Sequence, residues 1–353
     1  MLPIINKTCP ACGKKLSAMA FNDSAQTADG LARNCRACTN ARRRQRDRSG
    51  VKHPRGQARS TVLATALRQG DIKSVRKLLR AGITPHWGWV CETMREGHLA
   101  CAEMLLESGV ERNTFTMAAM ADVKGLTRRL NRVRADARLT DSMEPVSNQV
   151  TPLHVGCASD WKSHGHERMT DQVQVASTLA DRGADLNALA CYRGIGGATP
   201  LFCACWSSRN LALVSWLLDH GASATDGCLA AALGHLQRHG RGAYDIAEAL
   251  VARGLSVDGG DRTLLQAFTH QADRRAVAWL IEHGADVNAR AFGGRTPAHF
   301  AAERNTGPKT LALLVEAGAD LSARDDDGQT PLEIAKLNGK ARLVEWIGRR
   351  VRA

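Results

Sequence analysis

Four cysteines in the first 40 residues are the side chains in this sequence best suited to do chemistry. Cys9-Pro10-Ala11-Cys12 and Cys35-Arg36-Ala37-Cys38 form two C-x-x-C pairs separated by 22 residues. One such turn sets two thiolates along an edge of a metal ion, and a second pair completes the tetrahedron that zinc prefers. Iron is the substitute that an all-thiolate site also admits. With Cys9, Cys12, Cys35 and Cys38 all bound, no position stays open for water or substrate, so the expected zinc is structural. Few large apolar residues accompany the cysteines (Leu16, Met19, Phe21, Leu31), so this small segment is expected to need the metal in order to fold. The other seven cysteines are scattered without a framework spacing, which fits a reducing compartment better than disulfides.

Arginine supplies the second chemistry. Arg42, Arg43, Arg44, Arg46 and Arg48 follow the last cysteine on what reads as a short helix. Residues 1–59 hold 13 Lys/Arg and 3 Asp, so most of the net charge of +13 sits there and residues 60–353 carry only +3. Such a run suits contact with the phosphates of DNA or RNA, and suits equally a solvated linker or a patch that meets an acidic protein. The expected organisation is a finger with a basic helix over 1–48, a flexible basic linker over 49–59, and a repeat region over 60–353.

The repeats must position everything else. An apolar pair, two further residues and a glycine recur: Leu78-Leu79 to Gly82, Leu105-Leu106 to Gly109, Leu217-Leu218 to Gly221, Leu280-Ile281 to Gly284 and Leu314-Val315 to Gly318. Leu250-Val251 to Gly254 is another copy and Leu179-Ala180 to Gly183 a weaker one. The pair closes an amphipathic helix, and glycine takes the left-handed conformation that ends it. A second pattern opens the next helix: Thr151-Pro152-Leu153-His154, Thr199-Pro200-Leu201-Phe202, Thr296-Pro297-Ala298-His299 and Thr330-Pro331-Leu332-Glu333. Threonine caps the first turn and proline fits its first position.

These residues resemble the ankyrin repeat, and the resemblance covers about residues 60–353. It implies an all-α solenoid of about nine helix-turn-helix units, roughly 33 residues each by the family period. It also implies that histidine in the Thr-Pro-Leu-His slot is structural, and that hairpin tips and first helices line a protein-binding groove. Unit 3, around residues 113–148, is the poorest match. Unit 4 carries an insertion, Ser159 to Thr170, whose Asp160, His164, His166 and Glu167 read as solvated loop residues. Unit 6 lacks Thr-Pro. Trp216, Trp279 and Trp346 share one slot of the second helix and are expected to pack against neighbouring units. Cys157 and Cys205 share a slot of the first helix and read as small buried hydrophobes. The N-terminal line, Cys-x-x-Cys-Gly, Phe21, Asp29-Gly30-Leu31 and Cys-x-x-Cys with a basic tail, resembles small zinc fingers that precede HNH-type nucleases. That resemblance covers residues 7–48. No nuclease segment follows, so the activity does not carry over.

Tip residues are free of packing duties, which makes unusual ones informative. Tyr192 and Arg193 occupy one long tip; Arg290, Phe292 and Arg295 occupy another; Arg324 and Asp326 occupy the next. Aromatic and arginine residues are common anchors of protein interfaces. No phosphate loop or nucleophile elbow is present, and Gly194-Ile195-Gly196-Gly197 is turn chemistry. No apolar run has membrane-spanning length, and the first residues lack a signal-peptide pattern, so the expected location is cytoplasmic. The chain is expected to be a non-enzymatic binding protein that takes a protein partner in its repeats.

Overall fold

The computed structural model describes residues 6–8, 15–17, 21–23, 31–35 and 55–351, apart from 144–146, 193–194, 235–241, 260–264, 266–267, 270–272 and 305–306. The chain divides into two compact units, Met1–Val62 and Leu63–Ala353. In the first, strands β1 (Asn6–Thr8) and β2 (Lys15–Ser17) pair antiparallel, as do β3 (Phe21–Asp23) and β4 (Leu31–Cys35). Of these strands the backbone alone is described. Helix α1 (Arg55–Gln69) begins inside the stretch expected to be a linker. Pro54 stands just before it, where proline disfavours nothing helical downstream, and Gln57, Ala58 and Arg59 are good helix formers.

In the second unit helix pairs follow one another. They are α1 with α2 (Ile72–Arg80), α3 (Trp87–Arg95) with α4 (Leu99–Glu107), and α5 (Thr114–Ala119) with α6 (Val123–Arg132). Next come α7 (Pro152–Ala158) with α8 (His166–Asp181), α9 (Pro200–Cys203) with α10 (Leu211–Asp219), and α11 (Asp226–Gly234) with α12 (Gly242–Val251). The first helix of the seventh pair is described only at Leu265, Phe268 and Thr269; its second is α13 (Arg274–Glu282). The last pairs are α14 (Pro297–Arg304) with α15 (Lys309–Glu316), and α16 (Pro331–Leu337) with α17 (Ala341–Val351). First helices pack on first helices and second on second, as in α5 on α7, α14 on α16, α8 on α10 and α13 on α15. Among the described residues the second compact unit is therefore an all-α solenoid of about nine helix pairs.

The helix-ending glycines work as their spacing implies. Gly284 and Gly318 have φ of 88° and 94°. The residue after each, Ala285 or Ala319, donates its N–H to the carbonyl of Leu280 or Leu314, the first member of the apolar pair. This closing bond satisfies a carbonyl that the helix leaves over. The Asp-x-Asn that follows ties neighbours together. Asn288 donates from Nδ2 to Gly318 O (3.0 Å), and its Oδ1 accepts from Asp320 N (2.8 Å); Asn187 repeats this with Gly221 O and Ser223 N.

Two features depart from the expected pattern. The tips between units 3, 4 and 5 form strands: β5 (Asp141–Met143), β6 (Ser147–Val150), β7 (Ala190–Tyr192) and β8 (Ile195–Ala198). They make one antiparallel sheet in the order β5-β6-β7-β8, with Asn148 opposite Cys191 joining the two hairpins. These tips are long enough to give each arm paired residues. The insertion in unit 4 is solvated only in part: His166 and Glu167 are exposed as expected, whereas Asp160 and His164 are not. Helix α8 starts at His166, Trp161 is fully buried, and Asp160 is buried with it. Asp160 N–H donates to Met94 O (2.9 Å), His164 Nε2 donates to Gly97 O (2.9 Å), and the Asp160 carboxylate pairs with Arg209. The insertion thus reaches back to unit 2 and forward to unit 5. It does so because α5 stops after six residues, so that α3 and α7 touch past its end.

Gly318→Ala should lower unfolding stability by about 1 kcal/mol, because a Cβ there meets no neighbour and only the left-handed backbone is penalised. Gly307→Ala, at an equally open position without a positive φ, should be neutral in the same urea titration.

Candidate protein-binding surface

Each tip is held from below by the first turn of the preceding unit. Thr151 caps α7, and its own N–H donates to His154 Nδ1 (3.2 Å). That bond leaves the proton on Nε2, which donates to Ala198 O in the next tip (3.1 Å). Thr296 and His299 repeat the arrangement, with Nε2 donating to Gln329 O (3.0 Å). Histidine is thus the rivet between one unit and the following hairpin. At the start of α16, Glu333 stands in the histidine slot and closes a capping box with Thr330. Burial lowers the His154 pKa to about 4 and moves that of His299 in the same direction, so both rings are neutral near pH 7.

Of the tip residues expected to bind a partner, Tyr192 lies in β7 with its side chain undescribed, and Arg193 lies outside the described residues. The other five come together on two consecutive tips. Arg290 Nη2 donates to Arg324 O (2.7 Å) and lies 4.0 Å from Asp326 Oδ1. Arg295 Nε sits 3.4 Å from the buried Asp325, and its Nη1 lies 3.3 Å from Glu303. Arg324 donates to Gly328 O (2.6 Å), and Asp326 N–H to Gly293 O (2.9 Å). The charged side chains therefore lock tip to tip. Phe292 is the exception: it is 88% exposed and protrudes from this locked pair. Sequence reasoning missed Leu189 and Ile195, which are exposed on the long tip between units 4 and 5 and carried no signal beyond their position in it.

The remaining expectations divide. Cys157 and Cys205 are buried among the first helices, as read. Trp279 is buried beside Tyr244 of the preceding unit and stacks on His283 (3.8 Å). Trp216 and Trp346 are partly buried and pack on the same core, with Trp216 stacked on His220 and Arg350 over Trp346. Among the proposed metal ligands, Cys35 ends β4 and its side chain is not described; Cys9, Cys12 and Cys38 lie outside the described residues. So do Arg42, Arg43, Arg44, Arg46 and Arg48. Among the described residues no helix is long and apolar enough to cross a membrane.

His154 should make stability depend on pH. Its folded pKa of about 4 lies below the ordinary 6.5, so its contribution is complete above pH 6.5 and is lost as the pH falls toward 4. The linkage amounts to about 3 kcal/mol. Urea midpoints measured across this range should fall for the wild type and fall less for His154→Gln; equal slopes would show that this histidine is not the rivet described.

Comparison with known proteins places this geometry. Residues 280–335 match the family described as ankyrin repeats (many copies), and residues 196–226 match the single ankyrin repeat. The crystal structure of the human ASB11 ankyrin repeat domain is 25% identical, covering 67% of this chain and 96% of that one with a TM-score of 0.49. The ankyrin repeat domain of Bcl-3, described as a unique member of the IkappaB protein family, is 23% identical, covering 68% and 98% with a TM-score of 0.49. No curated protein matches the chain in sequence. Residues 196–226 and 280–335 thus match ankyrin repeats, and the second unit carries the same capping threonines and helix-ending glycines on either side of them.

Proposed function

We propose that this chain is a non-enzymatic adaptor that holds a protein partner along its hairpin tips. Ankyrin repeat domains generally mediate protein–protein interaction. The observation that carries the reading here is Phe292, a large aromatic side chain exposed at the end of a tip that its neighbours hold rigid. A rigid, exposed aromatic loses little entropy on binding and gains a large buried area.

The N-terminal module is the proposed docking element. Cys9, Cys12, Cys35 and Cys38 would hold a structural zinc ion, supported by the donor set and the two C-x-x-C spacings. A second reading is nucleic-acid contact through this module, favoured by its 13 Lys/Arg against 3 Asp.

Two measurements test these readings. Proteins retained by the wild-type chain should bind Phe292→Ala roughly tenfold more weakly, with unchanged thermal stability; a partner indifferent to that substitution would move the interface elsewhere. Metal analysis of purified protein should find one zinc per chain, and Cys9→Ser with Cys35→Ser should remove it while leaving the helical circular dichroism of the repeats in place.

A further inference from the structure

The charge of the repeat region is concentrated in one place. Residues 123–138 hold six Lys/Arg and one Asp, a net of +5, whereas residues 60–353 as a whole carry +3. These residues form α6 and the 3-10 turn after it, Arg134–Arg138, in the unit that departs most from the repeat pattern. Packing accounts for Gly125, Leu126 and Leu130, which are buried, and of the α6 cations the fold uses only Arg129, which meets the buried Asp136.

The acid present is already used. Asp136 is buried and takes Arg129 Nε at 2.7 Å, with Thr114 Oγ1 donating to it at 3.2 Å. Arg134, Arg138 and Arg182 donate to neutral acceptors: Asp181 O, Gly183 O and Asn131 Oδ1. Among the described residues no carboxylate lies within ion-pair distance of Lys124, Arg128 or Arg132. All three are exposed, at positions i, i+4 and i+8 of α6. Arg128, Arg129 and Arg132, with Met117, Gly125 and Val133, line a cavity of about 370 Å³. Arg129 is held in position by Asp136 and Thr114, so part of the ordering entropy of a guanidinium site is already met.

We propose that unit 3 binds a phosphodiester backbone. Arg128, Arg129 and Arg132 take the oxygens of one phosphate at the cavity, and Lys124 meets the next along the strand. The stripe from Lys124 to Arg132 rises about 12 Å along the helix, in steps of about 6 Å. The Lys124–Arg128 step suits successive phosphates of a strand, whereas a phosphorylated side chain presents its charge at a single point. Guanidinium is the group fitted to phosphate oxygens, and contacts of this kind are strong and salt-dependent. The site lies outside residues 1–59, so it stands whether or not Arg42–Arg48 touch nucleic acid.

The test uses the full chain and a fluorescein-labelled 20-nucleotide DNA of mixed sequence, single-stranded and duplex, in anisotropy titrations over a salt series. A phosphoserine peptide is the third probe. Arg128→Glu with Arg132→Glu should weaken oligonucleotide binding at least about tenfold at about 50 mM salt and flatten the log K against log salt slope by roughly 1.5–2. Both positions are exposed, so the circular dichroism should not change. Lys309→Glu with Lys336→Glu, the same change of charge elsewhere on the repeats, should retain binding. Oligonucleotide binding that is absent, that ignores the Arg128/Arg132 change, or that falls equally in the control pair overturns the proposal. So does a preference for the phosphoserine peptide alone.

Discussion

A helix pair of this size cannot hide its own apolar side. Leu153 and Leu179 of unit 4, or Leu201 and Leu217 of unit 5, are buried only because another unit lies against each face. Every other feature of the repeat region follows from that dependence. The helices must be short, parallel in rows and sharply ended, so glycine stands where the second helix stops and threonine-proline where the next first helix starts. Polar groups freed at those ends are then available to bond the neighbouring unit rather than their own. His154 and His299 reach forward to the next tip, and Asn187 and Asn288 reach to the next helix-ending glycine. Apolar burial supplies the attraction between units, and these neutral hydrogen bonds fix the register at which it is made.

Unit 3 shows what happens when one link in such a row is weak. Its first helix has six residues, and a gap in a stack of this kind would leave the ends of α3 and α7 exposed. The unit 4 insertion closes the gap with a buried tryptophan and a buried carboxylate, the latter satisfied by Lys162 N–H and Arg209, while the Asp160 N–H donates to Met94 O. Arg209 adopts a left-handed backbone (φ 53°) at the end of a π-helical turn, Ala204–Ser208, to make that pair. A bulky residue is costly in that conformation. The cost is met here because the ion pair is largely withdrawn from water, where a partner lost would leave a buried charge.

The parts of the molecule legible in its sequence are those governed by neighbours in the chain. Gly284, Gly318, Thr151, Thr330 and the tryptophan slot announce themselves because helix ends and helix faces depend on residues one to four positions away. The insertion was not legible for the opposite reason. The partner of Asp160 N–H is Met94 and that of its carboxylate is Arg209, separated by 66 and 49 residues, and nothing local marks Asp160 or Trp161 as buried. The same holds for Arg290 and Arg295. Their place on a tip is readable, but their ion pairs with Asp326 and Asp325 depend on how two tips stack. The strands of the long tips escaped for a related reason, since Asn148 pairs with Cys191 across two units.

Function in such a molecule is best sought where stacking places no demand on a side chain. On the tips that criterion sets Phe292 apart, because the charged residues beside it are occupied with one another. On the outer helices it sets α6 apart, because Lys124, Arg128 and Arg132 have no carboxylate within ion-pair distance among the described residues, while the helices on either side carry carboxylates, Glu103 and Glu107 on α4, Glu167 and Asp171 on α8. A surface charge with no structural partner costs little in water, so its presence alone proves nothing. Three of them, Lys124, Arg128 and Arg132, gathered beside three further arginines on a unit that has lost other marks of its repeat are different. Mutual repulsion makes the cluster unfavourable for the fold taken alone, and an anion bound across it removes that repulsion. The tip aromatic and the basic helix belong to different repeats, at Phe292 and at Val123–Arg132, so the two proposed contacts draw on separate side chains.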